Sequence, residues 1–294
     1  MSGLKEVRIR IASVNNTKQI TSAMKMVSAA KLRRAQGAIL KLRPYANKLS
    51  GLLSDLSVST GLPEDIAYFK KRKVQKVLLV VINSNRGLCG AFNSNVIKAA
   101  VSRINSEYNE LNNTGNLHIL SAGKTASDFF TKRKYNVIAN YDSIYDNLTY
   151  EKSCELAEKL MEYYANGTYD RIELVYNQFK NAVSQILTIE QFLPVEKLGQ
   201  NGQSTLNQTD YIFEPEKSII LKELVPKSLK IQTYKALLDS WASEHGARMS
   251  AMQKATDNAE ELIKALKLSY NKARQAAITK EIIEIVSGVN ALKG

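Results

Sequence analysis

Little in these 294 residues points to chemistry. There are two cysteines, Cys89 and Cys154, and two histidines, His118 and His245, without the paired spacing of a zinc site, so neither a disulfide framework nor a structural metal is expected. Both thiols read as small buried residues in a reducing compartment. No apolar run approaches the roughly 20 residues of a spanning helix. The opening Met1-Ser2-Gly3-Leu4-Lys5-Glu6 passes directly into a patterned helix and leaves no room for a secretion signal. The chain is therefore expected to be soluble or peripherally bound, and mature from its first residues.

Catalytic motifs are missing as well. Arg86-Gly87-Leu88-Cys89-Gly90 has neither the glycine spacing of a dinucleotide fold nor a Walker ending. Gly123-Lys124-Thr125 looks like the end of a phosphate loop, but the first glycine of that motif would stand at 118, which is His118, so a helix start is the better reading. Neither histidine sits in a triad-like setting, and the acids form no ligand run or acid/base pair. Cys89 reads as a thiol packed under a sheet rather than a nucleophile. No catalytic residue, cofactor or metal is expected.

Negative charge is scarce where positive charge is dense. The net charge is +13, and the first fifty residues carry Lys5, Arg8, Arg10, Lys18, Lys25, Lys31, Arg33, Arg34, Lys41, Arg43 and Lys48 against Glu6 alone. Solvated helix faces mix both signs. This stripe calls for an acidic partner: nucleic acid, an anionic membrane surface or an acidic protein loop.

From Leu4 to about Leu56 the only breakers are Gly37, Gly51 and Pro44, and Leu4, Val7, Ile11 and Val14 recur at steps of three and four. This predicts a helix with a coiled-coil seam that slips after Val14, continues through Ile20, Met24 and Val27, and thins into Ser28, Ala29 and Ala30. Fifty residues make a rod of about 75 Å that needs a partner helix. The other end supplies one. From Lys217 to Leu292 the strong breaker is Pro226, and Tyr234, Leu237, Leu238, Trp241, Met249, Met252, Ala255, Ala259, Leu262 and Leu266 fall in helical steps. If residues near 55 and 217 are neighbours, Met1 lies opposite roughly residue 270, and the last two dozen residues overhang. There Ala273, Ala276, Ala277, Ile278, Ile282, Ile283, Ile285, Val286, Val289 and Leu292 cover most of the circumference. A helix apolar all round must be surrounded, here by other subunits.

Between the helices the chain alternates strand and helix. Strands are expected at Val77–Ile82, His118–Leu120, Asn136–Ala139, Arg171–Tyr176 and Ser184–Leu193, with helices near Ala91–Tyr108, Ala126–Arg133 and Tyr150–Ala165. The fold class is α/β plus a long antiparallel coiled coil: a shaft of N- and C-terminal helices and a small α/β domain with a largely parallel sheet. The segments are 1–56 (shaft helix), 74–195 (α/β foot domain), 196–216 (loop) and 217–294 (shaft helix). A helical shaft with a basic stripe, an apolar end and a domain without a catalytic motif suggests mechanical or assembly work.

Ile20-Thr21-Ser22-Ala23-Met24-Lys25-Met26-Val27-Ser28-Ala29-Ala30-Lys31-Leu32-Arg33 resembles the N-terminal signature of gamma subunits of F-type ATP synthases. The turn Arg86–Gly90 with Phe92-Asn93, the stretch Glu244–Met252 with Ala255, Thr256, Asn258 and Ala259, and Tyr270–Glu281 with Glu284–Gly288 are similar to the same family, so the resemblance covers the whole chain. It implies a non-catalytic rotor shaft inside a ring of three alpha and three beta subunits, with the α/β domain at the foot against the epsilon subunit and the membrane c-ring. Membrane contact would be indirect. Proton flow would turn the foot, and ATP chemistry would stay on the beta subunits.

The resemblance also assigns contacts. Met24 and Lys25, across from Arg248, would meet an acidic beta-subunit loop; Arg274, Gln275, Thr279 and Glu281 would meet a beta-subunit catch loop; Tyr211 and Glu214 would contact the rotor ring. Two departures stand out, Asn85 in place of the family's acid and Ala91 in place of a glycine. The cysteine-bearing insert of chloroplast relatives is missing, and a bacterial protein peripheral to the cytoplasmic side of the inner membrane is expected. The alternative is a basic coiled-coil protein that binds nucleic acid through its N-terminal helix, which leaves the apolar C-terminal end unexplained.

Overall fold

The computed structural model describes residues 2–60, 67–195, 214 and 216–293. In chain order the helices and strands are α1 (Ser2–Thr60), β1 (Val77–Ile82), α2 (Phe92–Glu107), α3 (Asn109–Asn113), β2 (Leu117–Ala122), α4 (Lys124–Lys132), β3 (Val137–Asn140), α5 (Tyr150–Ala165), β4 (Arg171–Phe179), β5 (Gln185–Leu193) and α6 (Lys217–Lys293). They form two compact units, Met1–Ser28 with Arg248–Gly294, and Ala29–Ala247.

The larger unit is built on a five-stranded sheet of order β3-β2-β1-β4-β5. The pairs β1·β2, β1·β4 and β2·β3 are parallel, and only the edge pair β4·β5 is antiparallel. The largely parallel sheet expected from the alternating pattern is therefore observed. All six residues of β1 are buried, as expected of a continuous apolar run covered on both faces. Side chains alternate along a strand, and β1 sends Val77, Leu79 and Val81 into a core with Val96, Ala100 and Ile104 of α2 and Ala126 and Phe130 of α4. Leu78, Val80 and Ile82 point the other way, into a core with Leu156 and Leu160 of α5, Leu49 and Leu53 of α1, and Leu221, Val225 and Leu229 of α6. The long helices thus supply a layer of this unit that its short helices do not.

Both long helices continue through an internal proline, Pro44 in α1 and Pro226 in α6. Proline removes one helical hydrogen bond. At Pro44 the freed carbonyl belongs to Leu40, and both residues lie on an exposed flank, where a missing helical hydrogen bond costs less than in a buried turn.

The smaller unit is an antiparallel two-helix coil, and it corrects two expectations. Over the first 28 residues of α1 the positions 4, 7, 11, 14, 18, 21, 25 and 28 are half-buried or buried, an alternation of three and four steps, with Ser22 and Met24 half-buried beside them. The seam does not slip. It runs through Lys18, Thr21, Lys25 and Ser28, while Ile20 and Val27 are 61% and 57% exposed. The register is also displaced. Lys18 reaches Glu260, Thr21 meets Thr256 and Lys25 reaches Gln253, whereas Met1 opposite 270 would have placed Lys18 beside residue 253. Interlocking side chains fix a coiled-coil register, and the points at which the helices leave a domain do not.

Candidate functional site

The sites assigned by resemblance lie mostly on the coil. Its seam on α6 passes through Met252, Thr256, Ala259, Ile263, Leu266, Tyr270, Ala273 and Ala277. Ile263 takes the place expected of Leu262, which is 41% exposed. Toward Leu4 the facing positions on α1 are Leu4, Val7, Ile11 and Val14, so this half of the seam is apolar. Toward Ser28 it is polar. Lys18 Nζ donates to Glu260 Oε2 at 3.1 Å and holds that carboxyl below the usual carboxylate range. Lys25 Nζ donates to Gln253 Oε1 at 2.8 Å, and Gln253 Nε2 donates to Asp257 Oδ1 at 2.8 Å. Exposed pairs of this kind contribute little to stability, so they set the register more than they hold the coil.

Lys25 and Met24 are half-buried, and Arg248 is buried at 7% exposure. Lys25 faces Gln253, five residues beyond Arg248. Farther along α6, Arg274, Gln275, Thr279 and Glu281 are exposed, and Thr279 Oγ1 donates to the Gln275 carbonyl at 2.9 Å. Glu214 is exposed, and Tyr211 lies outside the described residues.

Beyond Ala277 every described side chain of α6 is exposed. Ile278, Ile282, Ile283, Ile285, Val286 and Val289 are 45–66% exposed. At 100° per residue they fall within one arc of about 160°, with Lys280, Glu281, Glu284 and Ser287 on the opposite side, so this segment is amphipathic and not, as expected, apolar all round. Among the described residues nothing covers this apolar face.

The turn after β1 is fastened from within. Ser84 Oγ lies 2.7 Å from the Arg86 carbonyl and 2.8 Å from Asn93 Oδ1. Asn85 Nδ2 donates to the Asp142 carbonyl at 2.8 Å, and its Oδ1 accepts from the Lys124 backbone N–H at 3.1 Å. An ionised carboxylate could only accept, so asparagine here joins two segments that an acid would not. Gly123 has φ +130°, and a Cβ there would stand 2.3 Å from the Asn83 carbonyl oxygen. This glycine allows two strand ends to cross closely, and Lys124 begins α4, as the failed phosphate-loop spacing indicated. Among the described residues no His, Cys, Asp and Glu group could hold a metal. Cys89 is buried, whereas Cys154 is only half-buried.

Two features escaped the sequence. Ile20 and Val27 face outward, which strict counting in threes and fours from Leu4 would have revealed. Asp239, on α6 in the larger unit, is 3% exposed with its carboxyl pushed up to about 6, first by burial, while Lys235 and Arg43 oppose the rise and Glu190 adds to it. No local pattern around Asp239 signals this, because its neighbours come from three separate segments.

A family model described as ATP synthase matches residues 3–292. The chain is 51% identical over 293 residues to an ATP synthase gamma chain of Cytophaga hutchinsonii, covering 99% of each chain. It is 53% identical over 294 residues to one of Flavobacterium johnsoniae, covering 100% of each. Among solved structures, a chain of the Euglena gracilis mitochondrial ATP synthase superposes with a TM-score of 0.67 at 22% identity, over 99% of this chain and 95% of that one. A chain of the Tetrahymena thermophila mitochondrial ATP synthase central stalk and c-ring gives 0.57 at 24% identity, over 80% and 99%. At these identities the structural likeness speaks to the fold.

Proposed function

The chain belongs to the ATP synthase gamma-chain family, and we propose that it is the non-catalytic central shaft of a rotary ATP synthase. Its helices stand inside a ring of three alpha and three beta subunits, and its α/β domain sits at the foot with the epsilon subunit and the membrane c-ring. Residues 1–56 and 217–294 are the shaft, 74–195 the foot, and 196–216 the loop between them.

The observation that carries this reading is the end of α6, where six large apolar side chains from Ile278 to Val289 are exposed on one broad face of the helix. An apolar face of this width on a helix normally packs against a partner, and the inner wall of a ring of subunits supplies one. Arg274, Gln275, Thr279 and Glu281 stand exposed at the start of this segment and are the proposed contacts with a beta-subunit loop. Met24, Lys25 and Arg248 form a second contact with an acidic beta-subunit loop. Tyr211 and Glu214 contact the rotor ring.

Coupling follows from asymmetry. Proton flow turns the foot, and the shaft presents a different surface to each beta subunit in turn. Each position stabilises one nucleotide-site conformation over the others, so binding free energy is exchanged among three sites while the chemistry stays on the beta subunits. The protein works at the cytoplasmic side of the bacterial inner membrane as a peripheral subunit; among the described residues no helix is long and apolar enough to cross a membrane. The nucleic-acid reading leaves the apolar end of α6 without a role, and two cations of the basic stripe, Lys18 and Lys25, are already engaged by α6.

The test is co-purification of a tagged copy from gently solubilised membranes, with stoichiometry and ATPase activity read on the same particle. One copy per three alpha and three beta chains, lost when residues from Arg274 onward are deleted, is expected. A free monomer or a nucleic-acid complex would overturn the proposal.

A further inference from the structure

The larger unit holds a cavity of about 490 Å³ where α1, α6 and the edge pair β4·β5 meet, within the size range of small-ligand sites. Its lining is ordered by charge. Asp239 is buried and Glu190 half-buried, whereas Arg43 and Lys235 are exposed, so the acids sit at the enclosed end and the cations at the open end. Ile39, Leu42, Ala46 and Ile231 supply apolar wall. The two acids differ in what they still lack. Glu190 accepts from the Tyr176 hydroxyl through Oε2 at 2.8 Å and from Gln232 Nε2 through Oε1, so each of its oxygens has a donor. Asp239 has the Phe179 backbone N–H, and a carboxylate can accept about four hydrogen bonds. Arg43 and Lys235 act on it through charge, and among the described residues neither forms an ion pair with it. The buried acid therefore has capacity for a further donor, and the two cations have capacity for an anion.

We propose that this cavity is a binding site for a small zwitterion of the ω-amino acid type, with its ammonium toward Asp239, its carboxylate toward Arg43 and Lys235, and its aliphatic chain along Ile39, Leu42 and Ile231. The site does not depend on the reading of the chain as a shaft.

The charges exclude the simpler classes. A plain anion entering past Arg43 and Lys235 meets Glu190 and Asp239, and a plain cation meets Arg43 and Lys235 first; like charges at close range are costly. A ligand that carries both signs, separated along its length, is favoured at each end. Its ammonium restores to Asp239 the charge-assisted hydrogen bonds that burial has taken away, and one bound molecule joins α1, β5 and α6.

The experiment titrates the full-length chain with ε-aminocaproate, caproate and hexylamine at pH 8, above the Asp239 pKa of about 6, and reads binding by calorimetry and ligand-observed NMR. ε-Aminocaproate should bind about tenfold more tightly than either single-charge analogue. Asp239→Asn should weaken it about tenfold, and so should Arg43→Gln/Lys235→Gln. Arg43 and Lys235 are exposed, so this double variant keeps the test independent of any effect of Asp239 on folding. Lys222→Gln, at an exposed position of α6 outside the cavity, should change nothing. Caproate binding as tightly as ε-aminocaproate would overturn the zwitterion in favour of an anion, and hexylamine doing so would overturn it in favour of a cation. No saturable binding of any of the three, or binding that survives both sets of substitutions, would overturn the site itself.

Discussion

Thr21 of α1 and Thr256 of α6 meet hydroxyl to hydroxyl at 2.8 Å inside the coil. Each also has an acceptor within its own helix, the Lys18 carbonyl at 3.0 Å for Thr21 and the Met252 carbonyl at 2.8 Å for Thr256. Each hydroxyl has one proton, so whichever threonine donates across the coil gives up its own-helix bond. The cross-coil contact is an exchange, and its net value is small.

A double-mutant cycle on the full chain measures that value. Thr21→Val and Thr256→Val should each change stability by less than about 1 kcal/mol, because the remaining hydroxyl keeps its own-helix acceptor. The double variant should be neutral or stabilised, since the pair becomes apolar at a half-buried seam. A large loss in the double variant by thermal melting would mean that the hydrogen bond itself holds the coil.

Asp239 makes the larger unit sensitive to pH. Its folded-state pKa of about 6 lies above the ordinary 3.8, so the folded state binds its proton more tightly than the unfolded one. The resulting stabilisation is complete below about pH 4 and is lost as pH rises through 6. Asp239→Asn removes this dependence, and its amide oxygen still accepts from the Phe179 N–H. The variant should be more stable than wild type by about 3 kcal/mol at pH 8 and no more stable at pH 4. Equal melting temperatures at pH 8 would refute this.

Glu173 on β4 is 1% exposed and accepts from Arg103 Nε at 3.0 Å, Arg103 Nη2 at 2.7 Å and the Tyr108 hydroxyl at 2.6 Å. Removing the cation strands a buried carboxylate. Arg103→Ala should cost about 3 kcal/mol in denaturant unfolding, and Arg103→Ala/Glu173→Leu should recover much of it. If the double variant is as unstable as the single one, packing rather than charge is at fault.

Gly123→Ala should be among the most damaging single changes away from any interface. The new methyl would overlap the Asn83 carbonyl, and the φ of +130° is one that alanine rarely adopts. A loss of more than about 3 kcal/mol, or failure to accumulate soluble protein, is expected. Gly37→Ala, in α1 with open space around it, should be neutral or mildly stabilising.

How much of this could be read from the chain depends on the range over which each feature is decided. Both long helices, the buried run Val77–Ile82 and the apolar end from Ile278 onward are visible in the sequence, because periodicity and local composition fix them within a few turns. The sheet's parallel character followed from strand and helix alternation. The path of the seam did not. Counting apolar residues drew it toward Ile20 and Val27, yet the partner helix lies over Lys18, Thr21 and Lys25, and α6 decides that from more than two hundred residues away. The raised Asp239, held among Arg43, Glu190 and Lys235, and the crossing at Gly123 are likewise products of distant segments brought together. Local patterns determine which elements form. Which face of an element is buried, and which charge loses its water, is settled only when non-adjacent elements pack, because burial belongs to the assembled surroundings.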